Sequence, residues 1–212
     1  MADVYQSLAE VENPEQYIQH AAPWVYLANK PYLDWLFGGE DEAKRIVDLW
    51  MRRDSSELSI RNISLLFRDG KPLGGLVALT GENLARSRKA DMLAIMKDVD
   101  PPERDAVLKR LKACGNLFVY PGRDEYYLAK MGVVREARGT GVAKFIFGSS
   151  IEVGAMIVYR KFRGEVVGEM VAGRGRVPSC GFEVVRESWC RGGGRSLGWG
   201  GGARRGGGGG AG

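Results

Sequence analysis

The sequence has few of the side chains that most often bind metals or form catalytic pairs. His20 is the only histidine, and the three cysteines, Cys114, Cys180 and Cys190, are widely spaced, without a C-x-x-C pair. Histidine-rich metal sites and a conventional Ser–His or Cys–His catalytic pair are therefore excluded. We expect no bound metal, and we expect reduced thiols, as in a cytoplasmic protein. Chemistry in this chain must then use carboxylates, tyrosines, backbone amides or a cofactor.

Long apolar runs are also missing from the 212 residues. No stretch approaches the roughly 20 apolar residues that a membrane-spanning helix needs. The start of the chain, MADVYQSLAEVENPEQ, is too acidic and polar for a signal peptide. We therefore predict a cytoplasmic location and no membrane partner. A chain of this length can bury one sizeable core, whereas two full domains would be crowded.

Acidic residues are absent from the C-terminal end of the chain. Residues 190–212 contain thirteen glycines and four arginines, and this composition predicts a disordered tail. Removing those four arginines from the net charge of +5 leaves +1 for the remainder, which predicts no basic nucleic-acid surface on the body of the protein. Arginine–glycine tails do contact RNA, so an RNA-associated protein that binds through its tail is one alternative function.

The spacing of apolar residues divides the rest of the chain into two parts. Residues 1–57 are predicted to be a helical region rich in aromatic residues, and residues 58–189 are predicted to be the core. The charged residues Arg86, Arg88 and Lys89 are interpreted as a solvated helix face. Within the core, strands are predicted at 58–67, 73–80, 161–167 and 180–185, and helices at 84–97 and 102–114.

The two commonest glycine-rich phosphate loops are missing, but a third pattern is present. The chain has no G-x-x-x-x-G-K-[ST], and a G-x-G-x-x-G would need glycine at the position of Lys144. Residues 126–134 instead have the apolar content of a buried strand, and Lys144 begins a helical pattern. Arg138, Gly141 and Ala143 form an R-x-x-G-x-A turn between them. Because a helix start offers unpaired N–H groups and a positive dipole end, this arrangement predicts a phosphate cradle.

The strand before the turn also has a recognisable phase, L-x-x-[LM]-x-V, at Leu128, Met131 and Val133. With this strand and turn, the chain resembles the GNAT superfamily of acyl-CoA-dependent N-acyltransferases over residues 58–186. The resemblance implies an α/β fold with a mixed, mostly antiparallel sheet flanked by helices, to which residues 1–57 add an N-terminal helical elaboration. It implies direct transfer of an acetyl group from acetyl-CoA to a small-molecule or peptide amine.

The resemblance also implies which residues bind acetyl-CoA. The motif strand lines the pantetheine arm, and the backbone N–H groups of Met131 and Val133 are the candidates for contacts with that arm and with the oxyanion. The turn holds the pyrophosphate, with the side chain of Arg138 or Lys144 adding charge. The backbone amides assigned to the pyrophosphate are those of Gly139, Thr140, Gly141, Val142, Ala143 and Lys144.

Carboxylate and phenol groups near the motif strand are the candidates for proton transfer. Glu125 lies at the mouth of this strand, where histone-type members of the family place their base, and a solvated carboxylate beside Arg123 is the alternative. The tyrosine that often protonates the leaving thiolate in the family corresponds to Val177 here. Tyr126 and Tyr127 are the candidates to replace it, and packing within the strand is the alternative role for both. A non-catalytic acyl-CoA-binding relative is therefore a further alternative.

Overall fold

The structure is a computed structural model that describes residues 3–115, 118, 120–157, 159–167, 183–190 and 194–202. Within these ranges, seven strands form one sheet in the order β1-β2-β3-β4-β5-β7-β6. The strands are β1 (Val4–Ser7), β2 (Ile63–Arg68), β3 (Lys71–Thr80), β4 (Glu125–Val133), β5 (Lys161–Val167), β6 (Glu183–Cys190) and β7 (Gly194–Gly202). The helices are α1 (Ile18–Ala28), α2 (Lys30–Phe37), α3 (Glu40–Met51), α4 (Gly81–Asp98), α5 (Pro101–Ala113) and α6 (Val142–Met156). None of these described helices is long and apolar enough to cross a membrane.

All neighbouring strands are antiparallel except β4 and β5, which are parallel. A parallel pair requires a crossover connection, and α6 provides it between β4 and β5. The β2–β3 hairpin turns at Asp69 and Gly70, both of which have positive φ angles, as the Asp-Gly signal predicts. The predicted α/β fold with a mixed, mostly antiparallel sheet is therefore confirmed.

The sheet has a hydrophobic core on each face, because successive side chains of a strand point to opposite sides. Along β4, Tyr127 and Ala129 belong to the larger core, which includes residues of α1 to α5. Leu128 belongs to the smaller core, which it shares with Val142 and Ile146 of α6. The helical elaboration at the N-terminus and the helix after the motif strand therefore cover opposite faces of the sheet.

Both ends of the chain add strands that the sequence did not predict. β1 lies inside the region predicted to be helical, and it pairs with β2 at one edge of the sheet. β7 pairs with both β5 and β6, so the prediction of a disordered tail is wrong for residues 194–202. Backbone pairing on both sides satisfies the N–H and C=O groups of a strand even where its residues are glycine. Residues 203–212 lie outside the described residues.

The cysteine chemistry also differs from the prediction. Cys114 follows α5, is buried and is disulfide-bonded. The prediction of reduced thiols is therefore wrong for this cysteine, and the side chain of its partner lies outside the described residues.

Candidate active site

The sheet opens between β4 and β5. The two strands pair only where Glu125 to Leu128 lie opposite Lys161 to Gly164, although β4 continues to Val133. On the other edge of β4, Val77 of β3 pairs with Lys130 and Ala78 pairs with Leu128. Ala129 is thus the extra residue of a β-bulge. Since a bulge bends and twists its strand, its position explains why β4 leaves β5 after Leu128.

Backbone groups of β4 point into this opening. Val134 donates its N–H to the carbonyl of Leu73 in β3 at 2.9 Å. Because N–H groups of successive strand residues alternate in direction, those of Met131 and Val133 face the opposite edge, away from β3. The carbonyl of Val133 confirms this direction, since it accepts a hydrogen bond from Nε of Arg138 at 3.3 Å. The structure therefore brings the two predicted N–H donors to one side of the opening.

The predicted turn connects this edge of β4 to α6. Gly139 and Gly141 have φ angles of 82° and 88°, a left-handed conformation that glycine adopts without strain. A Cβ added to either glycine would meet nothing within 4 Å, so the space beside the turn is open. The first backbone hydrogen bond of α6 runs from Phe145 N–H to the carbonyl of Gly141. The N–H groups of Val142, Ala143 and Lys144 consequently lack intrahelical partners, which is the geometry that the predicted phosphate cradle requires.

Side chains at the turn divide into packed and exposed groups. Val142 and Ala143 are both buried, and Val142 packs in the smaller core at the start of α6. Thr140 donates its hydroxyl hydrogen to the carbonyl of Ala137 at 2.7 Å, which fixes the approach to the turn. Arg138 and Lys144 are exposed, so both cations are available to an anion at the turn.

Solved structures resemble this architecture over nearly its whole length. An N-acetyltransferase from Staphylococcus aureus Mu50 superposes with a TM-score of 0.67 and 18% identity, covering 93% of this chain and 99% of that chain. A putative acetyltransferase of the GNAT family from Desulfovibrio desulfuricans superposes with a TM-score of 0.52 and 11% identity, covering 95% and 99%. The chain has the GNAT fold. The sequence matches no protein-family model and no curated protein.

A third solved structure of similar architecture has CoA bound. It is the NatC complex bound to Gag peptide and CoA, with a TM-score of 0.53, 14% identity and coverage of 94% of this chain and 98% of that chain. At such low sequence identities, these similarities establish the fold only. The chemistry has to be argued from the residues of this chain.

Glu125, the predicted base, is held by two hydrogen bonds. Its side chain accepts from Nε of Arg163 at 3.0 Å and from the backbone N–H of Gly122 at 2.9 Å. The residue is only 8% exposed, which rules out the solvated carboxylate that was the alternative interpretation. It lies at the paired end of β4, before the bulge. A role as base would require Arg163 to release one carboxylate oxygen.

A buried ionic cluster lies on the face of the sheet opposite α6, and the sequence did not predict it. Arg88 of α4 donates through Nε to a carboxylate oxygen of Glu57 at 3.0 Å, and Lys130 Nζ lies 3.5 Å from the other oxygen. The prediction that Arg88 belongs to a solvated helix face with Arg86 and Lys89 is therefore wrong. A signal was available, because Arg88 shares the spacing of buried Leu84 and Ile95 along α4.

The charges of this cluster depend on one another. Burial alone would raise the pKa of Glu57, but the positive charges of Arg88 and Lys130 and their hydrogen bonds lower it to about 2. The guanidinium of Arg88 also lies over the rings of Phe118 and Tyr127, at 5.6 and 5.4 Å from their centroids. Glu57 is thus a permanently charged partner and a poor proton acceptor at neutral pH.

A second buried carboxyl group, Asp91, lies beside this cluster. One of its oxygens accepts the backbone N–H of Glu57 at 2.9 Å, whereas Oδ1 has no hydrogen-bond partner among the described residues. Burial raises the pKa of Asp91 to about 7, against the lowering effect of its hydrogen bonds from Glu57 and Ser56. At acidic pH this residue is therefore a neutral carboxylic acid.

Proposed function

We propose that this protein transfers an acetyl group from acetyl-CoA to the nitrogen of an amine. The observation that carries the proposal is the continuity of the opening and the turn. The edge of β4 with Met131 and Val133 leads directly into the anion-binding start of α6. One extended molecule can therefore place its pantetheine arm along the strand and its pyrophosphate on the turn.

Acetyl-CoA would supply an activated acetyl group as a thioester. The nitrogen lone pair of a neutral amine attacks the carbonyl carbon, the carbon–sulfur bond breaks with its electrons leaving on sulfur, and nitrogen loses a proton. The residues of this chain would bind acetyl-CoA and orient its reacting carbonyl group. The N–H of Met131 or Val133 would donate to the oxygen on which negative charge develops. The N–H groups of residues 139–144, with Arg138 and Lys144, would hold the pyrophosphate.

Proton transfer is assigned to fewer groups than the sequence suggested. Glu125 is the proposed base, and its hydrogen bond from Arg163 would have to exchange during the reaction. Burial raises the pKa of Tyr126 to about 12, which makes this phenol a poor donor to a thiolate of pKa about 8.5. Tyr127 is fully buried, and its hydroxyl accepts from Arg88 at 3.3 Å. Val177 lies outside the described residues. We propose that the thiolate leaves with a proton from water.

Calorimetric titration with acetyl-CoA tests the proposed cofactor site. We expect wild-type protein to bind with a Kd in the micromolar range, and Gly141→Glu to weaken binding by at least about 100-fold, or roughly 3 kcal/mol. The variant forces a side chain into a left-handed position and places a carboxylate where the pyrophosphate would lie. Gly148→Glu is the matched control, because Gly148 lies on the same helix with open space around it.

The control should bind acetyl-CoA as wild type does, and circular dichroism should show that all three proteins are folded. Absence of binding by folded wild-type protein at about 1 mM acetyl-CoA would contradict the proposal. Binding without acetylation of any amine in a broad panel would instead identify the non-catalytic relative. The correspondence of Val177 to the usual tyrosine favours that second candidate.

A further inference from the structure

The outer side of α6 carries an apolar stripe that is open to solvent. Phe145, Ser149 and Val153 lie four residues apart and therefore on one side of the helix, and Met156 follows three residues later. The side chains of Phe145, Val153 and Met156 are 45%, 40% and 84% exposed. Of the described helices, only α6 contributes to the smaller core, so no other described helix packs on this face of the sheet. A continuous exposed stripe of this kind is typical of a surface that binds another molecule.

Two charged side chains flank the α6 stripe. Lys144 precedes Phe145, Glu152 precedes Val153, and both charged side chains are exposed. Neither of them forms an ion pair or a hydrogen bond with another described residue. They lie about 12 Å apart along the helix, which is too far for them to pair with each other. A basic group near one end of a helix face and an acidic group near the other can pair across an antiparallel contact between two copies of that helix.

A twofold axis beside Gly148 and Ser149 would match the apolar and the charged positions at once. In an antiparallel pair of helices, a residue before the axis lies opposite the residue equally far after it in the other copy. Each Phe145 then lies beside Val153 of the other copy, and each flanking lysine lies beside a flanking glutamate, to within about 1.5 Å along the helix. A Cβ added to Gly148 would meet nothing within 4 Å, so the two helices can approach closely at the axis.

A second exposed apolar patch, on α4, does not have this symmetry. Its members Met92, Leu93 and Met96 are 57%, 64% and 49% exposed. Lys89 and Lys97 lie four residues before and after Leu93, and both are exposed. An antiparallel contact between two copies around Leu93 would place these lysines opposite each other, and like charges so placed oppose association. A second copy of the chain therefore fits α6 better than α4.

We propose that α6 is the interface through which two copies of this chain form a symmetric dimer. The inference does not rest on the proposed acetyl transfer, since the residues assigned to the cofactor all lie within one copy. A pair of 15-residue helices makes a small interface, so we expect a micromolar dissociation constant. In the dimer Lys144 pairs with Glu152 of the other copy, and the pyrophosphate would keep the backbone N–H groups of the turn and Arg138.

Analytical ultracentrifugation of the full chain tests the interface, without acetyl-CoA, so that Lys144 is offered no other anion. We expect wild-type protein to change from mostly monomer at about 1 μM to mostly dimer at about 100 μM. Val153→Glu places a carboxylate in the apolar contact and should weaken dimerisation by at least about tenfold. Leu93→Glu is the matched control, because it makes the same kind of change at an exposed apolar residue of α4. This control should dimerise as wild type does.

Exchanging the two flanking charges tests the antiparallel arrangement. Lys144→Glu alone and Glu152→Lys alone would each place like charges side by side across the interface, and each should weaken dimerisation. The double variant restores opposite charges and should return the dissociation constant to within about threefold of the wild-type value. Circular dichroism should show that every variant is folded, because all the substituted side chains are exposed.

Three results would overturn the inference. They are a wild-type protein that stays monomeric at about 100 μM, a dimer that Leu93→Glu weakens and Val153→Glu does not, and a double charge variant as weak as the single ones. The two proposals fail separately, because calorimetric titration of Val153→Glu with acetyl-CoA measures the cofactor site in the absence of the dimer.

Discussion

At the scale of single residues, some features of the candidate site could be predicted from the sequence and others could not. The left-handed turn at Gly139 and Gly141 could be predicted, because two glycines before a helix require only local backbone geometry, and both residues adopt left-handed angles. Arg88, Asp91 and Lys130 could not be predicted as a cluster. Their contacts depend on how α4 lies against β4, and a charged residue in a sequence is usually solvated.

Asp91 leads to a prediction about pH and stability. Its pKa is about 7 in the folded protein and about 3.8 when unfolded, so the folded state binds the extra proton between these values. Stability should therefore fall as pH rises, by on the order of 3 kcal/mol between pH 5 and pH 8. Glu57 is ionised in both states over most of this range and contributes little to the slope.

Urea unfolding across this pH range measures the effect. Asp91→Asn keeps the shape of the neutral acid and removes the titration, so its free energy of unfolding should lack the part of the decline that Asp91 causes. Equal slopes for the wild type and the variant would show that Asp91 is ionised in the folded protein at neutral pH.

At the scale of elements, the motif strand and its helix were predicted correctly, whereas the bulge was not. The apolar content of residues 126–134 identifies β4 from residue 126, one residue from its actual start at Glu125. The bulge at Ala129 depends on the register with β3, which is set by a hairpin far away in sequence. The sequence alone therefore predicts a strand and a turn, but it does not predict the opening between β4 and β5.

Trp24 of α1 packs directly against Gly132 of β4. A Cβ added to Gly132 would lie 2.3 Å from Cβ and 2.5 Å from Cγ of Trp24. We expect Gly132→Ala to destabilise the protein by about 1–3 kcal/mol, because either the helix or the strand must move. Urea unfolding measures the loss. Gly148→Ala is the control, and we expect it to be neutral or to stabilise the protein by up to about 1 kcal/mol, since alanine favours a helix.

A loss in Gly132→Ala no greater than in Gly148→Ala would show that α1 is not seated on β4 as described.

At the scale of the whole molecule, the order of the strands depends on backbone pairing between segments that are distant in sequence. Local residue patterns do not predict such pairing. The sequence predicted the fold class through its resemblance, and the mixed sheet confirms it. β1 and β7 were not predicted, since one is a four-residue edge strand and the other is rich in glycine. Both are held by backbone pairing with neighbours distant in sequence, and this is a property of the complete sheet.

The central claim is that one cofactor spans the edge of β4 and the start of α6. Hydrogen exchange followed by mass spectrometry, with and without acetyl-CoA, tests it most directly. We predict slower exchange of the amides in residues 129–134 and 139–145 when acetyl-CoA is present, and unchanged exchange on the exposed face of α4. Slower exchange confined to other segments, or to only one of these two, would contradict the claim.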